Sequence, residues 1–321
     1  MNINKIIIIL GEPKSVFLEI LFKFFKSNKF KKINQHIILI GSKDLVINHM
    51  NKVKSKIKLN IINDVNLSIK KYINIINVNY NSTKKISKLS SGSNFYIKKS
   101  FAKGLDILKK NKKVAMFNGP ISKKHFLKKK YLGITEYLGK KTKSKNTVML
   151  IYNKKFSVSP ITTHIPIKKV AKNISKKKII SNILNIDNFY KKRLKTKPLI
   201  GVLGLNPHCE SIEKASEEEK IISPAIKILK KKKIKIYGPF SADTFFLKKN
   251  INKYDVVVGM YHDQVLGPLK TLYNFDAINL TLGLPFIRIS PDHGPNSDMV
   301  GKNKSDPSSI FTGMDFFQKI K

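Results

Sequence analysis

The amino-acid sequence predicts a doubly wound α/β fold. Short runs rich in β-branched residues alternate with longer, lysine-rich amphipathic stretches along the chain, which is the pattern of strands connected by helices. The chain has 321 residues and can bury a large core, so its size suits two α/β domains or one large one. Internal repeats and low-complexity linkers are absent from the sequence, which excludes solenoid and fibrous architectures.

The predicted strands share a short length and an apolar, β-branched composition. They are residues 6–10, 37–41, 114–118, 147–152, 156–162, 199–204, 235–237, 255–260 and 277–282. Helical spacing of apolar residues is clearest at 17–25 and 217–231. The second helix follows Ser216, a good N-cap residue, and its first turn carries Glu217, Glu218 and Glu219, where acidic side chains suit the helix dipole.

Lysine dominates the charge of the chain, which has 63 basic and 20 acidic residues and a formal net charge of +43. Such a charge would suit a nucleic-acid or membrane surface. However, Arg193 and Arg288 are the only arginines, and isoleucine and asparagine are abundant, so A/T-rich codons explain the lysines. Because arginine is the residue that pairs bidentately with phosphate and guanine, we expect no specific nucleic-acid partner and no membrane partner.

Cysteine usage and the first apolar run indicate the compartment. Cys209 is the single cysteine, so no intrachain disulfide framework is possible, and a reducing compartment, the cytoplasm, is expected. The apolar run at residues 6–10 is too short for the apolar part of a signal peptide or for a membrane span, and fits a buried first strand.

Three histidines each follow the carboxyl end of a predicted strand. They are His164, His208 and His262. Ligands bind at this edge of open parallel sheets, and neutral imidazole is the commonest ligand of transition metals. Three imidazoles would leave zinc or cobalt an open position for a substrate. Their wide spacing matches no compact metal motif, so separate structural roles for the three side chains are the alternative.

Lys270, Asn279 and Arg288 form a second group of candidate ligands, because such side chains hold carboxylates and phosphates. Arg288 is the strongest pointer, since a chain that otherwise favours lysine has kept a planar fork donor here. A structural salt bridge for Arg288 and a solvated side chain for Lys270 are the alternatives. The turn at residues 118–123 (NGPISK) could face an anion with its backbone amides and Lys123, or be a plain turn.

Several common catalytic motifs are missing. The sequence has neither GxGxxG nor GxxxxGK[ST], so a nucleotide would have to bind by another arrangement. There is no GxSxG, and Cys209 is only a sequence neighbour of His208, which gives no attack geometry. A serine or cysteine hydrolase is therefore poorly supported.

An ordered series of motifs strongly resembles the 4-hydroxythreonine-4-phosphate dehydrogenase family. The motifs are NGPISK at 118–123, TEYLG at 135–139, TTHIP at 162–166, GLNPH at 204–208, GPFSADTFF at 238–246, YHDQVLGPLK at 261–270 and INLTLGLPFIRISPDHG at 278–294. The resemblance extends from residues 11–13 to residues 306–309 and covers nearly the whole chain.

The resemblance implies a fold like that of the isocitrate and isopropylmalate dehydrogenases, with two α/β/α domains and a cleft between them. One domain is expected at residues 1–125 plus 295–321, and the other, with most metal and substrate residues, at 126–294. The resemblance also implies NAD or NADP bound by loops without Rossmann glycines, a divalent metal (zinc, cobalt or magnesium) and a homodimer that shares its active site.

The family's functional residues map onto positions of this chain. The implied metal ligands, contributed from both subunits, are His164, His208 and His262. The implied substrate contacts are Thr135, Asp243, Lys270, Asn279 and Arg288. Lys270 and Asp243 are the candidate catalytic residues for removal of the hydroxyl proton.

The implied reaction is the metal- and NAD-dependent oxidation of 4-phosphooxy-L-threonine, with decarboxylation to 3-amino-2-oxopropyl phosphate, in pyridoxal 5'-phosphate (vitamin B6) biosynthesis. The alternatives are a related dehydrogenase acting on 4-phospho-D-threonate or D-erythronate 4-phosphate, a basic nucleic-acid-binding protein on the same scaffold, and an inactive paralogue. Two departures bear on the choice: Ile134 stands where the family typically has histidine, and residues 209–213 replace a Gly-rich loop. Because the metal histidines and the Lys270, Asn279 and Arg288 set are present, we expect retained activity.

Overall fold

A computed structural model describes residues 3–80, 91–122, 131, 133–210, 215–274 and 276–320, with the backbone alone at 91–92. The chain divides into two compact units. The first comprises Met1–Lys130 and Phe286–Lys321, and the second comprises Tyr131–Pro285. The domain boundaries expected after residues 125 and 294 stay a prediction.

The strands and helices alternate along the chain, as the sequence pattern predicts. The described strands are β1 (Lys5–Ile9), β2 (His36–Gly41), β3 (Leu59–Ile62), β4 (Ile73–Asn77), β5 (Val114–Asn118), β6 (Val148–Tyr152), β7 (Ser157–Thr162), β8 (Ile200–Leu203), β9 (Ile236–Phe240), β10 (Val256–Tyr261), β11 (Ile278–Leu282) and β12 (Arg288–Pro291). The described α-helices are α1 (Phe17–Phe25), α2 (Asn28–Lys32), α3 (Lys43–Lys52), α4 (Ser91–Lys110), α5 (Ile134–Lys141), α6 (Val170–Asn173), α7 (Lys176–Phe189), α8 (Ser223–Lys231), α9 (Ala242–Phe245), α10 (Lys248–Ile251), α11 (His262–Tyr273) and α12 (Ser308–Lys319). None of these helices is both long and apolar enough to cross a membrane.

The first unit is built on parallel strands in the order β3-β4-β2-β1-β5-β12. Ile6, Ile7, Ile8 and Ile9 of β1 are all fully buried, as expected for a central strand that helices cover on both faces. The aromatic face of α1 adds Phe17, which stacks on the ring of Phe117 in β5 at 6.0 Å between centroids and so packs the helix against the sheet.

The second unit has the strand order β11-β6-β7-β10-β8-β9. β6 pairs antiparallel with β11 and β7, whereas β7, β10, β8 and β9 run parallel. Apolar side chains of the parallel strands, among them Val158, Leu203 and Val257, are part of one buried cluster. The parallel part therefore presents the carboxyl ends of β7, β10 and β8 side by side.

All of the predicted strands are present, with bounds that differ by a few residues at most. Three strands, β3, β4 and β12, were not predicted from the sequence. β3 and β4 contain asparagines that interrupt the apolar runs, and β12 lies in a Gly- and Pro-rich segment that the sequence presents as a loop. Pairing with β5, which aligns Arg288 with Met116, makes that segment a strand, because tertiary contacts override weak local preference.

The helix expected at 217–231 begins as predicted but is not a single α-helix. The Ser216 hydroxyl accepts a hydrogen bond from the Glu219 N–H at 3.3 Å, as an N-cap does. Glu218–Ile222 is then a π-helical turn, and α8 follows with Pro224 in its first turn. Proline has no N–H to continue the α-helical hydrogen bonds, which explains the wider turn before it. This turn leaves Glu218 buried, whereas Glu219 is exposed.

Candidate active site

The three histidines singled out from the sequence lie at one edge of the second unit's sheet. β10 lies between β7 and β8, and the register places Tyr261 at the end of β10 opposite Thr162 at the end of β7. His262 follows β10 directly, His164 lies just beyond β7, and His208 lies in the loop after β8. Parallel strands thus bring the segments that carry them to the same edge of the sheet.

Two of the imidazoles are neighbours. The ring centroids of His164 and His262 are 5.5 Å apart, with an angle of 42° between the ring planes. Nδ1 of His262 lies 2.6 Å from Oδ1 of Asp263. Because a carboxylate oxygen only accepts, Nδ1 donates its proton there, which leaves Nε2 of His262 as the nitrogen with a free lone pair. A carboxylate in this position is a common orienting partner of a metal-binding histidine.

His208 has a different carboxylate partner. Its Nδ1 lies 3.8 Å from Oδ2 of Asp243, and both side chains are more than half exposed. They line a cavity of about 310 Å³ with Ser241, Tyr261 and other residues of the second unit. The Ser241 hydroxyl lowers the pKa of the Asp243 carboxyl by donating to Oδ1, and the Thr244 N–H and the nearby His208 act in the same direction. Asp243 is therefore an ionised group at neutral pH.

A complete metal site does not form within one chain, as far as the described residues go. No three of their His, Cys, Asp or Glu side chains are grouped to hold an ion. The structure brings His164 and His262 together and leaves His208 with Asp243. Two adjacent imidazoles, one of them oriented by Asp263, fit part of a site for zinc or a similar ion. The sharing of ligands between two subunits stays a prediction.

Thr135 contacts Thr281, a residue near Asn279 that was not predicted as part of the site. The buried Thr135, in the first turn of α5, has its Oγ1 3.1 Å from Oγ1 of Thr281. Thr281 lies two residues after Asn279 on β11, and side chains two apart in a strand point to the same face. Oδ1 of Asn279 is buried and has no hydrogen-bond partner among the described residues. This face of β11 therefore presents the amide oxygen of Asn279 beside the hydroxyl of Thr281, which is paired with Thr135 of α5.

The start of α5 brings the carboxylate of Glu136 near His164. A Cβ atom at Gly133 would lie 2.9 Å from Oε2 of Glu136 and 3.4 Å from the His164 ring, so only glycine fits here without displacement. Glu136 also lines a cavity of about 500 Å³ with Thr135 and Lys178. Glu136 and Asp263 could have been found from the sequence, because each directly follows a predicted site residue. Thr281 could have been found from its spacing to Asn279.

Lys270 and Arg288 lie in different units. Lys270 is half-buried in the last turn of α11, the helix that His262 begins. Arg288, at the start of β12 in the first unit, is only 1% exposed. Its Nε donates to Oδ1 of Asn118 at 2.7 Å, and Nδ2 of Asn118 donates to the Gly119 carbonyl at 2.9 Å. An amide at the end of β5 thus orients the guanidinium.

The turn after β5 is tightly packed at Gly119. A Cβ atom there would lie 2.5 Å from the Leu10 carbonyl oxygen and 2.6 Å from the Phe17 ring. This close packing fixes the position of Asn118, whose side chain accepts the hydrogen bond from Arg288. The start of the NGPISK turn thus has a structural role. Lys123, the residue that could have faced an anion, lies outside the described residues.

Replacement of Asn118 by leucine is expected to destabilise the protein by about 1–3 kcal/mol, because the buried Nε–H of Arg288 would lose its acceptor. The free energy of unfolding, measured by urea titration, checks this. Asn118→Asp keeps an oxygen at the same place and serves as the matched variant, with a smaller loss expected. Equal stability of the leucine variant and the unaltered protein would contradict the orienting role of Asn118.

The chain is similar to one known protein family and to individual proteins of known activity. The model of the family "Pyridoxal phosphate biosynthetic protein PdxA" matches residues 33–316. A 4-hydroxythreonine-4-phosphate dehydrogenase from Sulfurihydrogenibium sp. is 38% identical over 99% of this chain and 98% of its own. A D-threonate 4-phosphate dehydrogenase from Pectobacterium atrosepticum is 39% identical over 61% of both chains.

Solved structures are also similar to this chain. The 4-hydroxythreonine-4-phosphate dehydrogenase of Klebsiella pneumoniae is 26% identical, covers 98% of each chain and has a TM-score of 0.82. An isocitrate dehydrogenase from Methylococcus capsulatus is 12% identical, with a TM-score of 0.51 over 99% of this chain and 85% of its own. The second likeness is one of fold alone, and it confirms the predicted α/β fold class.

Proposed function

This chain belongs to the family of the pyridoxal phosphate biosynthetic protein PdxA, and on that premise we propose that it oxidises 4-phosphooxy-L-threonine and decarboxylates the product to 3-amino-2-oxopropyl phosphate. Its relatives are dehydrogenases, so it is an oxidoreductase, and the nucleic-acid-binding alternative gives way to an enzyme. NAD or NADP would supply the hydride acceptor. The observation that carries the proposal is the His164 and His262 pair, with Asp263 behind it, at the carboxyl edge of the sheet.

A divalent metal, zinc, cobalt or magnesium, would be held by His164 and His262 together with His208. Following the family resemblance, we place the shared site in a homodimer, where a second subunit supplies one of the imidazoles. Such an ion, when bound, makes the substrate hydroxyl more acidic and polarises the carbonyl that replaces it. Asp263 orients the His262 ring so that Nε2, the nitrogen away from the carboxylate, is the one placed to bind.

Proton transfer falls to one of the two residues expected from the sequence. The lowered pKa of Asp243 makes its carboxylate a weak proton acceptor at neutral pH and suits it as the ionised partner of His208. Lys270 and Asp243 both stay candidate acceptors of the hydroxyl proton. A bound nicotinamide would supply the hydride acceptor, and the O–H proton of the substrate would pass to Lys270 or Asp243 as the carbonyl forms. The C–C bond to the carboxylate then breaks, its electrons move to that carbonyl, carbon dioxide leaves, and a proton returns to the carbon.

The phosphate and carboxylate of the substrate call for fixed polar donors. Arg288 offers a planar, permanently charged fork, and Asn118 holds it in one orientation. Thr135 and Asn279 offer a hydroxyl and an amide on one face of β11. Each of these side chains is a proposed substrate contact, as the family resemblance implies.

The assay that tests the proposal is NADH formation from 4-phosphooxy-L-threonine by the purified, metal-loaded protein. A second substrate, 4-phospho-D-threonate, tests the related activity, which the D-threonate 4-phosphate dehydrogenase relative and Ile134 favour as the second candidate. Turnover of the threonate with none of the threonine compound would replace the first choice. Turnover of neither, with metal bound, would indicate an inactive paralogue.

Replacement of Ile134 by histidine is expected to lower KM for the phosphorylated substrate. Ile134 begins α5 next to the buried Thr135, and an imidazole here restores a donor that the family typically has. One new hydrogen bond contributes about 0.5–1.5 kcal/mol, so KM should fall about 2–10-fold. Ile134→Leu is the matched control and should leave KM unchanged. An unchanged KM in the histidine variant would show that position 134 does not face the substrate.

A further inference from the structure

The loop that carries His208 is held by a buried carboxylate. β8 ends at Leu203, and the chain then runs through residues 204–210. Oε1 of Glu218 accepts hydrogen bonds from the backbone N–H groups of Leu205 at 2.6 Å and Asn206 at 2.9 Å. Oε2 accepts from the side-chain Nδ2 of Asn206 at 2.8 Å. One side chain thus satisfies three donors of the loop, two residues before His208.

Glu218 is ionised despite its burial. The side chain is only 3% exposed, and burial by itself would raise the pKa of its carboxyl. The donors of Asn206 and Leu205 outweigh burial, and the net pKa is lowered. Charge-assisted hydrogen bonds of this length are among the stronger ones in proteins, so the loop and the π-helical turn are firmly joined.

The opposite side of the same loop is tied to the segment that carries His262. Nε2 of the buried Gln264 donates to the Gly204 carbonyl at 2.8 Å. Its Oε1 accepts from the Met260 N–H at the end of β10 at 2.7 Å. A Cβ atom at Gly204 would lie 3.0 Å from Oε1 of Glu218, so Glu218 packs closely against the loop as well as bonding to it.

The backbone beyond this clamp needs external support. His208 has a φ of 56° and Cys209 a φ of 61°, both in the left-handed region that non-glycine residues seldom adopt. Such conformations are strained and persist where surrounding contacts determine them. The contacts of Glu218 with Leu205 and Asn206 are a source of that constraint.

We propose that Glu218 is a positioning residue for His208, which it holds at the sheet edge by clamping Leu205 and Asn206. The inference rests on the proposed function in one respect, that His208 binds the metal. Glu218 makes no contact with the ion in this scheme, and its effect is transmitted through the loop backbone.

The test is the affinity of the metal-free, full-length protein for Zn²⁺ alone, measured by competition with a chromogenic chelator. Loss of an outer partner of a metal ligand typically weakens binding about 10–100-fold, which is the loss expected for Glu218→Ala. Glu218→Gln should lose less, because its amide oxygen can still accept from the two backbone N–H groups. Glu219→Gln, one residue along and exposed, is the matched control and should bind as the unaltered protein does.

A double-mutant cycle separates positioning from a general effect on the fold. If Glu218 acts through His208, Glu218→Gln should weaken Zn²⁺ binding in the unaltered protein but add nothing in a His208→Ala background. Should Glu218→Ala fail to fold, the glutamine variant decides. A folded glutamine or alanine variant with unaltered Zn²⁺ affinity overturns the inference. His208→Ala with unaltered affinity instead overturns the proposed metal role, and the inference with it.

Discussion

His262→Ala is expected to lower kcat/KM for NADH formation about 10³-fold and to weaken Zn²⁺ binding in parallel. His262 lies beside His164 and is oriented by Asp263, so its loss would remove one of the proposed metal-binding nitrogens. Metal catalysis supplies several kcal/mol of charge stabilisation, and about 4 kcal/mol corresponds to about 10³ in rate. Steady-state kinetics with saturating NAD and a direct Zn²⁺ titration measure the two effects.

A histidine outside the site provides the control for this prediction. His36 lies in the first unit, where its Nδ1 is 3.0 Å from the Ser68 carbonyl oxygen. His36→Gln should therefore leave kcat/KM and Zn²⁺ affinity unchanged. Since His262 is about one third exposed, its replacement should alter the thermal midpoint little. Unchanged activity of a folded His262→Ala protein would remove the chemical basis of the proposed function.

Arg288→Ala is expected to lower kcat/KM about 10²–10³-fold, mainly through KM. Truncation of one partner of a buried charged pair typically costs about 2–5 kcal/mol, and the phosphate or carboxylate of the substrate would lose its fork donor. Arg288→Lys should recover only part of the loss, because an ammonium group cannot reproduce bidentate pairing. Initial rates over a range of substrate concentrations separate the effect on KM from the effect on kcat.

The burial of Arg288 requires a stability control. At 1% exposure, its removal creates a cavity and leaves Asn118 without its Nε–H partner, so Arg288→Met, which keeps most of the volume, should be included. Arg193→Lys replaces the other arginine, in the π-helical turn Tyr190–Leu194 of the second unit, and should not change kinetics. A stable Arg288→Met protein with unaltered KM would show that Arg288 has only a structural role.

Most of the strands could be predicted because buried strands are continuous runs of β-branched apolar residues in the sequence. Ile6 to Ile9 of β1 form a continuous β-branched run and are fully buried, so composition and structure agree at this position. The same agreement holds for β10, whose apolar residues precede His262. Placing histidines after such runs was enough to predict their edge of the sheet, because parallel strands share one direction.

Glu218 shows where local reasoning stops. Its position among three consecutive glutamates predicts only an acidic first turn that suits the helix dipole, and Glu219 is exposed there. A π-helical turn precedes Pro224. In this turn Glu218 is buried and accepts hydrogen bonds from the backbone N–H groups of Leu205 and Asn206. The partners of a buried carboxylate come from a distant loop, and no short window of sequence contains both.

The sequence by itself determined most of the strands, which side chains are candidates for metal and anion binding, and which strand ends carry them, because these depend on hydrophobic periodicity and on the intrinsic chemistry of each residue type. Only the tertiary structure decided that His164 pairs with His262, that Asn118 orients Arg288 and that Glu218 clamps the loop of His208. Those contacts join residues far apart along the chain, and the packing of separate elements, which no local pattern encodes, sets the distances between them.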